Sequence, residues 1–168
     1  MRETKLVLAA ALALPLLSST ACLADGFTAA GITYGMDHNG VIGFRGEYDI
    51  SSLVERKPVS IVAYYKSASQ TYFGVSANSS ALGFTVNYNL SKELEIKNPK
   101  LQPFVGLGLE RTSSEAVTQA LGTTIKASSS SIDLSYSLGA KYVVSRELDV
   151  SGSLDSFGGL TLGANYKF

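Results

Sequence analysis

The final nine residues, LTLGANYKF (160–168), decide how this chain folds. Every second residue is apolar, namely Leu160, Leu162, Ala164, Tyr166 and Phe168, and the residues between them are polar or glycine. A chain end usually frays and tolerates almost any residue, so alternation up to the last position predicts a paired, half-buried strand. We interpret it as the strand that closes a membrane-spanning barrel, in which no backbone edge meets lipid.

The first 24 residues have a different composition. The segment MRETK carries two basic residues, and it is followed by the 12-residue apolar run LVLAAALALPLL and by the small residues SSTACLA. This order predicts a secretory signal peptide over 1–24, cut after Ala24, with one barrel domain over 25–168. A second interpretation treats STAC as a lipoprotein site with Cys22 acylated. If the cut follows Ala24, the remaining chain has no cysteine and no thiol chemistry.

The composition excludes several classes of function. Lys+Arg and Asp+Glu are both 14, so no basic surface suggests nucleic acid. Past residue 24, no apolar stretch approaches the ~20 residues that a membrane helix requires. There is no metal-ligand spacing, Walker loop or dinucleotide fingerprint, and the GxG of GLGLER (106–111) lies inside a strand pattern. We therefore expect no cofactor, no metal and no nucleic-acid partner.

Eight segments after the signal peptide alternate with the two-residue period of a strand. They cover residues 28–36, 41–50, 59–67, 81–90, 101–110, 131–143, 147–154 and 160–168. Most have 8 to 13 residues, nearer the ~9–11 of a tilted membrane strand than the ~5–6 of soluble sheets. We expect a tight turn at 37–40, long polar loops at 68–80 and 111–130, and one plausible helical turn at 113–121. The pattern predicts an all-β fold, an eight-stranded antiparallel up-and-down transmembrane β-barrel.

An internal repeat places tyrosines at one rim of this barrel. Each even-numbered strand ends in polar–Tyr–x–apolar, as in Glu47-Tyr48-Asp49-Ile50, Asn87-Tyr88-Asn89-Leu90, Lys141-Tyr142-Val143-Val144 and Asn165-Tyr166-Lys167-Phe168. Tyrosine is stable where hydrocarbon meets lipid headgroups. We therefore predict an aromatic girdle at that rim, formed by Tyr48, Tyr88, Tyr142, Tyr166 and Phe168.

The polar face of the strands carries most of the charge. Opposite the aliphatic and tyrosine side chains lie many glycines and nine charged residues: Arg45, Glu47, Asp49, Lys66, Glu110, Asp133, Lys141, Asp149 and Lys167. The interior of an eight-stranded barrel is just wide enough to be filled by side chains, so glycine relieves crowding there and opposite charges pair. We predict that the nine residues form a charge network in the lumen. The alternative, a secreted soluble lipocalin-like barrel, places the apolar face inside.

The chain's end carries a resemblance to a known family. LTLGANYKF, with a final Phe and an aromatic residue two positions before it, resembles the C-terminal sorting signal of bacterial outer-membrane proteins. With the signal peptide and eight strands, the chain resembles the small OmpA/OmpX-type outer-membrane barrels. The resemblance implies insertion by the barrel-assembly machinery, contact with outer-membrane lipid and lipopolysaccharide, and both termini in the periplasm. It places segments 37–40, 68–80, 111–130 and 155–159 outside a Gram-negative cell. We also expect a monomer.

The function that this pattern favours is passive. Small barrels of this family include lipid A deacylases and palmitoyl transferases that use serine with histidine and a carboxylate, but His38 is the only histidine and no serine is near it in sequence. We therefore expect no enzyme and no catalytic residue. We predict a barrel that supports envelope integrity or presents its loops, above all 111–130, for surface interaction or adhesion. The alternatives are a lipid-modifying enzyme and a narrow pore.

Overall fold

The computed structural model describes residues 26–37, 40–55, 57–72, 75–120 and 123–168. The predicted signal peptide with Cys22, and His38 of the first turn, lie outside them. The strands are β1 (Phe27–Gly35), β2 (Val41–Asp49), β3 (Val59–Tyr72), β4 (Val75–Asn89), β5 (Leu101–Ala120), β6 (Thr123–Val143), β7 (Leu148–Asp155) and β8 (Gly159–Lys167). No helix within the described residues is long and apolar enough to cross a membrane.

The eight strands form one closed antiparallel barrel in chain order. The last strand pairs with the first, from Ala29 opposite Lys167 to Gly35 opposite Thr161. The backbone N–H of Phe168 also donates to the carbonyl of Thr28, at 3.1 Å. The prediction of an eight-stranded barrel closed by its C-terminal strand is confirmed.

The strands are staggered around the barrel. Gly139 on β6 is paired with Ser153 on β7, and the pairing continues from each strand to the next around the barrel. It passes through Thr161, Gly35, Val41, Ala68, Ser79 and Ser114 and reaches β6 again at Ser129. The circuit therefore returns to β6 ten residues away from its start. Such a stagger requires strands tilted by roughly 35–45° to the barrel axis, with an interior that side chains can fill.

The apolar side chains point outward. Leu107 is 59% exposed and Leu134 is 66% exposed, whereas Glu110 and Asn165 on the opposite face are 4% and 1% exposed. A protein in water places these residues the other way round. The predicted orientation of the two faces is confirmed, and the soluble lipocalin-like alternative is wrong.

The predicted aromatic girdle lies at one end of the barrel, which we call the terminal end because the first described residue, Gly26, and the last, Phe168, lie there. Tyr48, Tyr142 and Tyr166 are exposed and pair with residues at the ends of neighbouring strands. The centre of the Phe168 ring lies 5.3 Å from the centre of the Tyr166 ring and 5.4 Å from that of the Phe27 ring. Tyr88 lies at the same end, opposite Val59, and is half-buried.

At the other end of the barrel, which we call the hairpin end, the structure contradicts two predictions. Residues 68–80 and 111–130 are not loops, because β3–β4 and β5–β6 continue as paired hairpins to Tyr72 and Val75 and to Ala120 and Thr123. The helical turn predicted within 113–121 is also wrong, since residues 113–120 belong to β5. The physical reason is that the flanking strands continue their ladder of backbone hydrogen bonds into serine-rich sequence.

These extensions form a sheet that stands beyond the barrel. We call residues 69–72, 75–78, 115–120 and 123–128 the protruding sheet. The strands β7, β8, β1 and β2 have 8 or 9 residues each, whereas β5 and β6 have 20 and 21. The extension is therefore confined to one side of the barrel.

Candidate functional sites in the lumen and on the protruding sheet

The largest ionic cluster in the lumen is centred on Glu47. The ammonium of Lys141 on β6 lies 2.5 Å from both carboxylate oxygens of Glu47 on β2. Arg45 Nη2 donates to the same carboxylate at 3.2 Å, and Ser60 Oγ donates to it at 2.9 Å. Glu47 is 8% exposed, so its charge needs these partners to remain ionised away from water. The structure thus brings together Arg45, Glu47 and Lys141 of the predicted charge network.

A second ion pair lies nearer the hairpin end. Lys66 Nζ is 2.6 Å from Asp155 Oδ1, and both side chains are almost fully buried. The ammonium also lies 4.9 Å from the centre of the Tyr64 ring, in a cation–π contact. Asp155 was not among the predicted lumen residues, because the sequence analysis ended that strand at residue 154. Continuing the inward alternation of Ser151 and Ser153 by one step identifies it.

Tyr64, on β3, links three strands through its hydroxyl. The hydroxyl donates to Glu110 Oε2 on β5 at 2.9 Å and lies 2.5 Å from Ser135 Oγ on β6. Gly83 on β4 leaves the space for this arrangement, since a Cβ there would lie 2.8 Å from the hydroxyl. Ser135 continues the chain of hydroxyls to Ser156, at 3.2 Å. Tyr64 was missed because the sequence analysis assigned aromatic residues to the lipid face only.

The remaining predicted lumen charges separate into two groups. Asp149 is 4% exposed and accepts a hydrogen bond from Asn165 Nδ2. Asp49 is exposed and accepts from the backbone of Ser51, and Lys167 is half-buried with no ion pair among the described residues.

Asp133 is the clearest correction to the predicted network. It is exposed, in the part of β6 that has passed beyond β7, and it accepts from Thr112 at 3.0 Å and from Ser131 at 2.6 Å. Alternation assigns a residue to a face but not to a height along the strand. Asp49, Asp133 and Lys167 therefore share the inward face without joining the buried network.

An apolar cap closes the hairpin end. Phe157, on the turn between β7 and β8, forms a buried cluster with Val41, Ala68 and Ala81. The turn is held by the backbone N–H of Gly158, which donates to Asp155 Oδ1 at 2.6 Å. Residue 159 has a φ of 61°, a backbone conformation that glycine adopts without strain. The same aspartate therefore fixes the cap and pairs with the lysine below it.

The space left in the lumen is divided. A cavity of about 40 Å³ lies among Lys66, Asp155 and Arg45, and a second of about 150 Å³ opens toward the terminal end beside Glu47 and Lys141. Only Asn87 and Phe104 line both, and these residues are 5% and 4% exposed. The smaller cavity has room for few water molecules.

The protruding sheet has two unlike faces. Toward the barrel axis, paired positions carry small or aliphatic residues, such as Ala77, Ala116 and Ala127 in one row. The opposite face carries Asn78, Glu115 and several serines. A groove of about 420 Å³ runs over this region, lined by Tyr65, Asn78, Glu115 and serines 67, 79, 80, 113, 114, 128, 129 and 130. Its chemistry is that of hydroxyl and amide hydrogen bonding, with one carboxylate.

No metal centre is evident in the described ranges. None of the His, Cys, Asp and Glu side chains there forms a group of three that could hold a metal ion. The interior carboxylates are instead bound by lysine, arginine, tyrosine or asparagine side chains.

Comparison with known proteins identifies a protein family and solved structures that share this architecture. The family model for the outer membrane protein beta-barrel domain matches residues 9–168. No curated protein matches the chain. Solved structures share the fold at low sequence identity. The N-terminal β-barrel domain of Pseudomonas aeruginosa OprF has a TM-score of 0.60 and 14% identity, covering 86% of this chain and 98% of that one.

Two further structures show the same architecture. Neisserial surface protein A has a TM-score of 0.57 and 13% identity, covering 84% of this chain and 95% of that one. Ail, the attachment invasion locus protein of Yersinia pestis, has a TM-score of 0.52 and 12% identity, covering 86% and 99%. At these identities the likeness is one of fold.

Proposed function

The chain belongs to the outer membrane protein β-barrel family, and on that basis we propose that it is a non-catalytic, sealed barrel that displays its protruding sheet outside the cell. Membership places the protein in the outer membrane as a transmembrane barrel. The observation that carries the proposal is a contrast between the two ends. The hairpin end combines a buried cap over the lumen with a sheet that extends past the barrel, whereas the terminal end has only turns.

The proposed orientation has both termini in the periplasm. The β5–β6 hairpin projects over residues 115–128 at the hairpin end, whereas the connections at the terminal end have at most eleven residues, between β4 and β5. In outer-membrane barrels the longer connections are extracellular. The aromatic girdle at the terminal end then lies at the periplasmic interface of the membrane. Two of the structural neighbours are named as a surface protein and as an attachment invasion locus protein, which is compatible with a surface role here.

The proposed partners follow from the outward surface. Outer-membrane lipid and lipopolysaccharide surround the apolar belt as solvent, and the barrel-assembly machinery recognises the C-terminal strand ending in Phe168. We propose that the barrel acts as a monomer, because its eight strands close on one another in a ring and the barrel needs no strand from a second chain.

A narrow pore is the second candidate, favoured by the charged lumen and by the cavity of about 150 Å³ at the terminal end. Against it stand two barriers in series, the Glu47 cluster and the Phe157 cap. Planar-bilayer recordings decide between the two functions. We expect no conductance from the unmodified barrel, and steady single-channel openings would overturn the sealed-barrel proposal.

Orientation is tested by labelling intact cells with a membrane-impermeant maleimide. Ser128→Cys places a thiol on the protruding sheet, and Lys97→Cys places one on the exposed turn between β4 and β5 at the terminal end. We expect Ser128→Cys to be labelled on intact cells and Lys97→Cys only after permeabilisation. The reverse result would invert the topology.

A further inference from the structure

Three basic side chains surround one cavity at the terminal end of the barrel. Lys100 immediately precedes β5, Arg146 lies on the turn between β6 and β7, and Lys167 is the last residue of β8. Together with residues 143–145 they line an open cavity of about 480 Å³, which we call the rim cavity. Its positive charge therefore comes from three segments that are distant in sequence and meet only in the folded barrel.

Backbone hydrogen bonds hold these three segments side by side. Val143 N–H donates to the carbonyl of Lys100 at 2.8 Å, and Lys167 N–H donates to the carbonyl of Glu147 at 2.8 Å. Within the turn, Ser145 Oγ accepts from two backbone N–H groups, at 3.1 and 3.3 Å. The backbone that carries the basic side chains is thus already ordered, which lowers the entropy cost of binding a ligand between them.

Nothing in the lining neutralises this positive charge. Among the described residues, no carboxylate lines the rim cavity, and none of its three basic side chains forms an ion pair. Two acidic residues are close in sequence. Glu147 is not part of the lining, and Asp149 accepts a hydrogen bond from Asn165. The rim cavity therefore attracts an anion.

The donor groups favour a phosphate as that anion. Arginine binds phosphate through two parallel N–H···O bonds, and lysine binds it as a point charge. Ser145 Oγ accepts two backbone N–H groups, and its own hydroxyl proton has no acceptor in the described part of the chain. A phosphate has enough oxygen atoms to accept from this hydroxyl and from the three basic side chains.

The position of the rim cavity favours a phospholipid over a soluble phosphate. Tyr142 and Tyr166, which directly precede Val143 and Lys167 in sequence, belong to the exposed aromatic girdle. Tyrosine side chains lie where hydrocarbon meets lipid headgroups, so the rim cavity lies at the level of the headgroups. Val143 and Val144 give its lining an apolar part, which suits the glycerol and the start of the acyl chains.

We propose that the rim cavity binds the phosphate of an anionic phospholipid, whose headgroup carries no ammonium. The three basic side chains repel the ammonium of a zwitterionic phospholipid, and basic pockets at membrane surfaces bind anionic headgroups. With both termini in the periplasm, this lipid belongs to the periplasmic leaflet. The choice of leaflet rests on the proposed function, whereas the site requires only a barrel in a bilayer.

Native mass spectrometry of the refolded barrel in detergent tests the ligand. Phosphatidylglycerol is the anionic probe and phosphatidylethanolamine the zwitterionic probe, and each is titrated separately. We expect phosphatidylglycerol to bind about tenfold more tightly, and inorganic phosphate at millimolar concentration not to displace it. Equal affinities for the two lipids would overturn the proposal. Displacement by inorganic phosphate would also overturn it, since the site would then bind a soluble anion.

A matched pair of triple variants separates the rim cavity from the general charge of the terminal end. The first variant combines Lys100→Gln, Arg146→Gln and Lys167→Gln. The second combines Lys57→Gln, Lys92→Gln and Lys97→Gln, at lysines that have a glutamate within two residues in sequence. We expect the first variant to bind phosphatidylglycerol about a hundredfold more weakly, and the second to change the affinity by less than about twofold. Equal losses in the two variants would reject the proposal.

A single substitution keeps the test decisive if the first triple variant does not fold, as judged by heat-modifiable gel mobility. Arg146→Gln alone should weaken phosphatidylglycerol binding about fivefold, and an unchanged affinity would reject the site. Selective lipid binding with inverted maleimide labelling on cells would reject the proposed orientation alone. Labelling as expected, with equal losses in the two triple variants, would reject the rim cavity alone.

Discussion

All eight strands line the lumen, and four of them, β3 to β6, continue into the protruding sheet, where they meet different requirements. In the lumen every strand has two neighbours, and the charges of Glu47, Lys66 and Asp155 are matched by buried partners. Past the ends of β2 and β7, the same strands carry hydroxyls and alanines, and two backbone edges are open. The comparison indicates that charged side chains need buried partners where the strands close into a barrel. Strand pairing without closure does not impose this requirement. The stability of the barrel should therefore depend on the lumen and very little on the protruding sheet.

The largest effect is expected from Lys66→Met, which removes the ion-pair partner of Asp155 in the lumen. Removing one partner of a buried ion pair lowers the free energy of unfolding by about 3–5 kcal/mol. Lys126→Met makes the same change on the protruding sheet and should alter it by less than about 0.5 kcal/mol. Urea unfolding in lipid, followed by heat-modifiable gel mobility, measures both. Equal losses in the two variants would remove the distinction between the regions.

A double variant sharpens that result. Lys66→Met combined with Asp155→Leu removes both charges, and replacing a buried pair by apolar residues is often neutral or stabilising. We expect the double variant to recover most of the stability lost by Lys66→Met alone. Asp155 also accepts from Gly158 N–H, so recovery should be incomplete.

The next effect concerns the cap at the boundary between the two regions. Phe157→Ala empties a buried site among Val41, Ala68 and Ala81, and a loss of about 3 kcal/mol is expected, at the low end for such substitutions. Phe157→Leu should lose less than half as much. The same unfolding measurement applies, and an unchanged Phe157→Ala barrel would show that the cap contributes nothing to closure.

A smaller effect is expected from removing much of the protruding sheet. Replacing residues 115–128 by Asn-Gly keeps Ser114 opposite Ser129 as the last pair and supplies the two-residue turn that hairpins favour. The free energy of unfolding should change by less than about 1 kcal/mol. A barrel that fails to fold after this truncation would contradict the proposed independence of the two regions.

The smallest effect is expected at the terminal end, outside both regions. The Tyr88 hydroxyl donates to Glu93 on the turn after β4, and this hydrogen bond lowers the pKa of Glu93 below its usual 4.5. A lowered carboxyl pKa stabilises the folded protein above pH 4.5, and this contribution is lost as the pH falls through the lowered value. Tyr88→Phe should return the Glu93 pKa toward 4.5, as measured by NMR titration. An unchanged pKa would show that the hydrogen bond does not persist in solution.

The faces of the barrel could be predicted from sequence because alternation has one physical cause. Successive side chains on a strand point to opposite faces, so Glu47 and Lys141 were assigned correctly to the lumen side. The position of a residue along the length of its strand produces no periodic pattern in the sequence. Asp133 therefore was grouped with Glu110, although it lies where β6 has lost one neighbour.

The protruding sheet was missed for a different reason. Serine-rich stretches usually indicate loops, and the alternation of Ser114, Ala116 and Thr118 against Glu115 and Val117 is weak in hydrophobic contrast. Pairing between β5 and β6 decides the structure there, and pairing is not local information. The same limit applies to the Phe157 cap, which depends on three residues from other strands.

The bond between Phe168 and Thr28 has a consequence for the order of events in biogenesis. The pairing of β1 with β8 joins residues more than a hundred positions apart in sequence, and contacts of such separation form late because loop-closure entropy opposes them. The polypeptide cannot complete its hydrogen bonding until its final residue has left the ribosome. Until β8 pairs with it, β1 has an unpaired edge, so closure of the barrel also removes an aggregation-prone strand edge.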